Sequence, residues 1–169
     1  MDVLEAIFTR RSIRKFAEGS ISQEQLHTII KAGCHAPSAH NCQPWHFIVI
    51  RDKDQFEKIS NFHTYAKMLL NADACIVVCG DKERQSMTGF LIEDCSAAIQ
   101  NMLLAAHGIG LGAVWCGLYP ISHLTRQMKK LLSLPSTVIP VGMIVLGQIG
   151  EKRPIEDRFD ERKIHNEKW

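Results

Sequence analysis

The chain has 169 residues, of which 46% are hydrophobic and 22% are charged, and its formal net charge at pH 7 is +2. This length and composition predict one soluble domain with a substantial apolar core. The small charge excess argues against a nucleic-acid partner. The sequence has no apolar run of about 18 residues, so no membrane span is predicted. Its N-terminus also lacks the basic and apolar regions of a secretory signal.

The hydrophobic pattern predicts helices and strands in alternation along most of the chain. The expected helices cover residues 2–9, 22–35, 54–71, 90–107 and 122–133, and the expected strands cover residues 46–51, 74–79, 113–119 and 138–147. Ser22 and Gln25 predict a capping box, Ser122 is a predicted N-cap, and the third helix is expected to break near residues 61–64. This order of elements predicts an α+β fold in which helices flank a sheet.

Two segments require a partner surface. The helix over residues 90–107 is apolar around most of its circumference, which predicts a central position or a place at an interface. Residues 151–169 contain 12 charged residues, six of each sign, and end in Trp169. The few apolar residues of this segment cannot form a core of their own. We therefore expect a single domain over residues 1–169, with residues 151–169 as an extended tail that clamps a second subunit.

Six cysteines lie at positions 34, 42, 75, 79, 95 and 116, with no C-x-x-C pair among them. Cys75 and Cys79 fall in a predicted buried strand, and Cys95 falls in the apolar helix. These positions predict buried free thiols rather than a disulfide framework, and therefore a protein of the reducing cytoplasm.

A basic turn follows the first helix. Four of the six residues from Arg10 to Lys15 are cationic, and Ser12 lies among them. Guanidinium groups and a hydroxyl are donors that suit a phosphate. A solvated basic face is the alternative interpretation of such a short run.

Two other motifs suggest a metal site and a dinucleotide-binding turn, but their residues fit neither. Metal-binding side chains cluster at Cys34, His35, His40, Cys42 and His46, but their spacing matches no zinc module and two prolines interrupt it. The glycines of residues 108–112 follow a helix and precede a strand. A dinucleotide-binding turn has the reverse order, so these glycines predict a helix C-cap and a tight turn.

A third motif is the loop over residues 36–46. It contains two prolines and several small or amide-bearing residues, and it leads directly into a strand. Such a loop can present hydrogen-bonding groups to a planar heterocycle. A rigid connector is the alternative interpretation.

Taken in order, the motifs resemble those of a known family. The stretches R-R-S-I-R-K-F, A-P-S-A-H-N-C-Q-P-W-H-F, G-L-G-A-V-W-C-G and P-V-G-M-I-V-L-G, followed by K-R-P, are similar in order and spacing to those of the nitroreductase family of FMN-dependent flavoproteins. The resemblance covers essentially the whole chain, which is a compact member because residues 80–89 form only a short connection. It implies an α+β fold with a mixed sheet flanked by helices. It also implies an intertwined homodimer with two FMN sites at the interface.

The resemblance implies a cationic half of the FMN site. Arg10 and Ser12 would bind the phosphate, and Lys152 and Arg153 would return to it from the tail. Arg14 would reach the N1/O2 edge of the flavin ring, where a fixed cation favours two-electron reduction. Arg11 is included among the expected cofactor contacts, although Arg11 and Lys15 fit plain surface charge equally well.

The resemblance also implies the contacts to the flavin ring. The expected residues are Pro37, Ser38, Ala39 and Asn41 from the partner subunit, and Trp115, Cys116 and Gly117 on one face of the ring. The backbone N–H of Gly117 would point at flavin N5. A further neighbour is expected within residues 61–65, where the sequence does not assign a particular side chain.

The implied activity is that of a cytoplasmic, homodimeric FMN-dependent oxidoreductase. NADH or NADPH would donate a hydride to flavin N5, and a small conjugated acceptor such as a nitroaromatic or a quinone would then receive it by a ping-pong mechanism. No protein side chain is expected to be catalytic, because the cofactor performs the chemistry, and no metal is expected. Alternatives are an FMN-binding protein with little turnover, a flavoenzyme of different chemistry such as dehalogenation, and a metal-binding structural module.

Overall fold

The computed structural model describes residues 1–169 and contains five α-helices and five β-strands. In chain order these are α1 (Val3–Thr9), β1 (Phe16–Ala17), α2 (Gln23–Cys34), β2 (Trp45–Ile50), α3 (Lys53–Phe62), β3 (Ala74–Asp81), α4 (Thr88–Gly108), β4 (Leu111–Gly117), α5 (Ser122–Leu131) and β5 (Val138–Ile149). Short 3-10 helices cover Ala39–Asn41, Thr64–Asn71 and Glu161–Lys163. The predicted elements are confirmed with ends that differ by a few residues, and the two-residue strand β1 is an addition.

The sheet is organised around its last strand. β5 pairs with β1, β3 and β4, and β3 pairs in turn with β2. Every pair is antiparallel. The α+β class with flanking helices is confirmed, while the strand directions within the chain are antiparallel rather than mixed. Hydrophobic patterns locate strands but do not give their directions, because direction depends on where each connection returns to the sheet.

Both faces of the sheet are buried, because alternate side chains of β3 pack into cores on opposite sides of the sheet. Ile76 and Val78 pack into a core with α2 and α4. Cys75, Val77 and Cys79 point to the opposite face and pack with α3 and α5. The prediction of a fully buried strand is therefore confirmed, and a second helical layer explains why no polar residue interrupts the pattern.

Helix α4 occupies the central position predicted from its apolar sequence. It buries eight residues along its length, including Leu91, Ile99 and Met102. At Gly33 of α2, a Cβ atom would lie 2.9 Å from the Met102 side chain, so this glycine lets the two helices approach closely. The absence of a polar stripe on α4 follows from the sheet on one side and α2 on the other.

One of the two predicted caps is confirmed. The Ser22 side chain accepts a hydrogen bond from the Gln25 N–H, and the reciprocal bond of a capping box is also present. Ser122 is not an N-cap, because it is the first residue inside α5 and the extended N-cap position belongs to Ile121. The prediction for Ser122 was wrong because a cap needs extended backbone at that residue, which the sequence does not report.

All six cysteines are free thiols. Cys75, Cys79 and Cys95 are buried, as expected, Cys116 is buried as well, and Cys34 is exposed. Burial raises the pKa of the Cys95 thiol to about 12 and that of the Cys116 thiol to about 11. These thiols are therefore protonated at neutral pH and act as small apolar side chains of the core.

The tail, residues 151–169, runs along the surface with one short 3-10 helix as its regular structure. Its apolar side chains Ile155, Phe159, Ile164 and Trp169 are all exposed. Clamping of a second subunit by this tail stays a prediction. No helix in the structure combines the length and apolar character that crossing a bilayer requires.

Candidate cofactor site

The basic turn is built between α1 and the start of the tail. The Ile13 N–H donates to the Ala113 carbonyl at 3.0 Å, which fixes the turn to β4. Glu151 Oε1 accepts hydrogen bonds from the N–H groups of Arg14 and Lys15, at 2.6 and 3.1 Å. These bonds, that of Arg14 above all, hold the pKa of Glu151 below its ordinary value. Glu151 lies 137 residues from Arg14 and was not predicted from the sequence as part of this turn.

Arg11 has a different environment from its neighbours. Its guanidinium donates from Nε to the Pro154 carbonyl, from Nη1 to the carbonyls of Phe8 and Arg10, and from Nη2 to the Glu156 carbonyl. Four of its five N–H groups are therefore engaged with backbone. This arrangement ties the end of α1 to the tail, and the expected cofactor contact of Arg11 stays a prediction.

An open cavity of about 530 Å³ brings together four of the expected flavin contacts. Arg14 is one of the lining residues, and Trp115, Cys116 and Gly117 at the end of β4 contribute one wall. No atom lies within 4 Å of the position that a Cβ would take at Gly117, so this glycine leaves the wall of the cavity open. A cation beside an apolar wall suits a planar, electron-rich ring.

The opposite wall is formed by the segment that follows α3. His63, Tyr65, Lys67 and Met68 belong to this segment and line the cavity. A flavin neighbour was predicted within residues 61–65 without a particular side chain. Tyr65 is strongly exposed, whereas His63 is 3% exposed.

His63 joins the two walls. Its Nε2 lies 2.9 Å from the Gly117 carbonyl oxygen, and because a carbonyl only accepts, Nε2 carries the proton. His63 Nδ1 is buried and has no hydrogen-bond partner. The Cys116 Sγ is 3.8 Å from the Tyr65 carbonyl and forms a second, weaker link between the walls. The geometry of the cavity therefore depends on contacts across more than 50 residues of sequence.

The loop that contains Pro37, Ser38, Ala39 and Asn41 lies outside this cavity within the same chain. It is conformationally unusual, because His40, Asn41 and Gln43 all have positive φ values of 47–55°. Non-glycine residues in this region are uncommon and are stabilised by their surroundings. Supply of this loop to the cavity by a partner subunit stays a prediction.

Asp94 of α4 is one of the groups that hold the loop. This side chain is 5% exposed, and its Oδ1 accepts a hydrogen bond of 2.9 Å from the Ala39 N–H. Its Oδ2 is buried without a partner. Two further bonds close the loop, from the Gln43 N–H to Ser38 Oγ and from the Gln43 amide to Asn41 Oδ1. The strained conformation is thus anchored from inside the protein.

The residues expected at the phosphate do not all converge. Arg10 is half-buried and lines a second cavity between α1 and the tail. Arg153 forms an ion pair of 3.0 Å with Glu151. Neither Ser12, Lys152 nor Arg153 lines either of the two cavities. Their contacts to a phosphate therefore stay predictions. The structure also contains no group of three or more His, Cys, Asp or Glu side chains arranged to hold a metal ion.

The fold is an antiparallel sheet flanked by helices, and the first cavity combines Arg14 with apolar lining residues. Residues 7–64 and 62–148 match the sequence model of the nitroreductase family. The chain belongs to this family, in agreement with the resemblance of its motifs.

Three known proteins illustrate the similarity. A protein of Methanothermobacter thermautotrophicus named for NADH dehydrogenase or NAD(P)H nitroreductase activity is 46% identical over 169 residues, 100% of this chain and 88% of the relative. A crystal structure from Parabacteroides distasonis with the same naming has a TM-score of 0.94 and 36% identity over 98% of both chains. A Desulfovibrio desulfuricans nitroreductase solved with FMN has a TM-score of 0.86 and 32% identity, over 99% of this chain and 97% of that one.

Proposed function

We propose that this protein is an FMN-dependent oxidoreductase that takes electrons from NADH or NADPH and reduces small conjugated acceptors such as nitroaromatics or quinones. The observation that carries the proposal is the cavity that brings Arg14 together with Trp115, Cys116 and Gly117. Family membership and the relatives named for FMN or NAD(P)H support the same activity. The two substrates use one site in turn, which is a ping-pong mechanism.

The residues of the cavity fit a flavin. Its volume of about 530 Å³ and open mouth would accommodate a tricyclic ring, and its lining residues are largely apolar. Because Gly117 has no side chain, the empty space beside it is available to the ring. When bound, FMN supplies the two-electron chemistry by accepting and releasing a hydride equivalent at N5.

The protein's own residues bind and orient the ring. Arg14 provides a fixed positive charge at one edge of the cavity, which stabilises negative charge on the ring there. Glu151 accepts hydrogen bonds from the N–H groups of Arg14 and Lys15, so the backbone that carries the Arg14 side chain is held in position before the cofactor binds. His63 fixes the Gly117 carbonyl and thereby the end of β4, whose Gly117 N–H we assign to the N5 edge. No side chain of the cavity is required as a general acid or base.

We also assign the functional unit as a cytoplasmic homodimer. The exposed apolar side chains of α1, which include Leu4 and Phe8, and those of the tail, which include Phe159, need a covering surface. The loop that carries Pro37, Ser38, Ala39 and Asn41 would then reach the cavity of the partner. The free, protonated core thiols agree with a reducing compartment.

Anaerobic reduction tests this function. The purified protein should be yellow, and the visible absorbance of the flavin should bleach on addition of NADH or NADPH. Steady-state rates with a quinone as acceptor should give parallel double-reciprocal lines. A colourless protein that binds no added FMN contradicts the proposal. A yellow protein that neither nucleotide bleaches instead indicates flavin binding with little turnover, and intersecting lines exclude the ping-pong sequence.

A further inference from the structure

The loop over residues 37–43 has an inner side that contacts α4 and an outer side that is exposed. On the inner side, the Ala39 N–H donates to Asp94 Oδ1 at 2.9 Å, and the His40 ring packs edge-on against the Phe90 ring with 6.3 Å between the centroids. Phe90 and Asp94 are four residues apart in α4, so they lie on one face of the helix. On the outer side, Asn41 is exposed. The loop is therefore held from inside the protein, and its outer side is free to contact another surface.

The Asp94 carboxylate has the Ala39 N–H as its single hydrogen-bond partner. Its Oδ2 is buried without a partner, and the side chain forms no ion pair. A buried carboxylate without a counter-ion is unfavourable for stability compared with an apolar side chain. The contribution of Asp94 is therefore positional, because its charge strengthens the one bond that it makes to the loop.

This bond is made where the backbone of the loop becomes least favourable. His40, Asn41 and Gln43 all have φ values between 47° and 55°. Each residue in this region costs conformational free energy, which contacts with the surroundings must offset. Ala39 comes immediately before this run, so its N–H is the point at which α4 fixes the path of the loop. Loss of the bond should allow the run to relax towards ordinary backbone.

The loop does not line the cavity of its own chain. We propose that Asp94 is a positioning residue for the flavin of the partner subunit. Through the Ala39 N–H, it sets the conformation of the loop, and the loop contacts the flavin in the cavity of the other chain. The inference rests on the proposed function, which places the loop at that cavity. It adds a residue buried in α4 that touches no cofactor, and it makes each flavin site depend on a carboxylate of the opposite chain.

The flavin affinity of single variants provides the first test. Asp94→Ala should raise the Kd for FMN about tenfold, the range of a lost charge-assisted hydrogen bond, whereas Asp94→Asn keeps an acceptor and should stay within about twofold of wild type. Glu93→Ala removes a carboxylate from the adjacent, exposed position and should not change the Kd. Leu103→Ala opens a cavity in the buried part of α4, so it should lower Tm without changing the Kd. The inference is overturned if Asp94→Ala leaves the Kd within about twofold of wild type, or if Leu103→Ala raises it equally.

Mixed dimers identify the chain on which Asp94 acts. Gly117→Trp places an indole in the open space of the cavity and should abolish flavin binding there. A dimer of one Asp94→Ala chain and one Gly117→Trp chain, isolated through two different affinity tags, should bind one FMN with the wild-type Kd. The reason is that the intact cavity of the first chain meets the intact loop of the second. A monomeric protein, or a mixed dimer without a tight site, contradicts action on the partner subunit.

A measurement without cofactor separates this inference from the proposed function. In a mixed dimer, a ¹⁵N-labelled wild-type chain is paired with an unlabelled Asp94→Ala chain. The labelled indole N–H of Trp115, which lines the cavity, should shift relative to the wild-type dimer, and an unlabelled Glu93→Ala chain should leave it unchanged. If the protein binds no flavin but this signal shifts, the proposed function fails and the action of Asp94 on the partner's cavity stands. If flavin binds normally and the signal does not shift, the inference fails and the proposed function stands.

Discussion

Replacement of Glu151 should loosen the basic turn by an amount that the structure allows us to estimate. In Glu151→Ala, the N–H groups of Arg14 and Lys15 lose their acceptor and Arg153 loses its ion pair. Water can reach part of this site, so each lost bond should cost about 1 kcal/mol, the lower part of the usual range, and the total about 2 kcal/mol. For a domain of this size, that loss lowers Tm by about 4–8 °C. Glu151→Gln keeps one acceptor oxygen and should lose about half as much.

The same contacts predict a pH dependence with a definite sign. Because the pKa of Glu151 is lowered in the folded protein, its contribution to stability is complete above the ordinary glutamate pKa near 4.5 and is lost as pH falls through the folded value. Urea unfolding from pH 7 to pH 3 should therefore show a steeper loss of stability for wild type than for Glu151→Gln. The exposed tail residue Glu167 provides a matched control, and Glu167→Gln should follow wild type. Coincident wild-type and Glu151→Gln profiles, or an unchanged Tm for Glu151→Ala, would refute the reasoning.

Three other changes test the cavity and its surroundings. Arg14→Ala should make the two-electron potential of bound FMN more negative by about 30 mV, because a partly exposed cation beside the ring is lost. An anaerobic redox titration that gives an unchanged potential contradicts this prediction. Gly117→Ala should weaken FMN binding about tenfold without altering the Tm of the apoprotein, whereas Gly89→Ala, which also points into empty space, should change neither. Asp94→Ala should speed hydrogen exchange at the Ala39 amide at least about tenfold, whereas Asp94→Asn, which keeps an acceptor, should not. Equal exchange rates in the two variants would argue against Asp94 as the group that holds the Ala39 N–H.

Local sequence patterns predicted most of the helices and strands, because signals within a few residues determine where these elements form. The capping box of Ser22 and the continuous apolar run of β3 are signals contained within a few residues. The strand β1 could not be found in this way, since Phe16 and Ala17 are strand residues only through their pairing with Ile149 and Gln148. Strand direction was missed for the same reason, because it depends on how distant segments meet. The cap of α5 was missed because it depends on the extended backbone at Ile121, which the residue types do not report.

The candidate site likewise contains residues that the sequence predicted and residues that it did not. Arg14 and residues 115–117 were predicted through family motifs, and the structure brings them into one cavity. His63, Asp94 and Glu151 carry no comparable signal, because each acts on backbone 54, 55 and 137 residues away, respectively. A lone histidine or carboxylate in the sequence does not indicate which distant carbonyl or N–H group it will meet. Asp94 and Glu151 hold the backbone around the site without lining the cavity, whereas His63 both lines the cavity and holds the Gly117 carbonyl.

The position of β5 at the centre of the sheet has a consequence for biosynthesis. β1, β3 and β4 all pair with this strand, which is the last one to leave the ribosome. Until residues 138–149 emerge, β4 has no partner and β3 has only β2. Glu151, which fixes the basic turn, emerges later still. The cavity that contains Arg14 therefore cannot assemble before residues 138–151 have emerged, and premature termination before β5 leaves β4 without a partner strand and β3 paired with β2 alone.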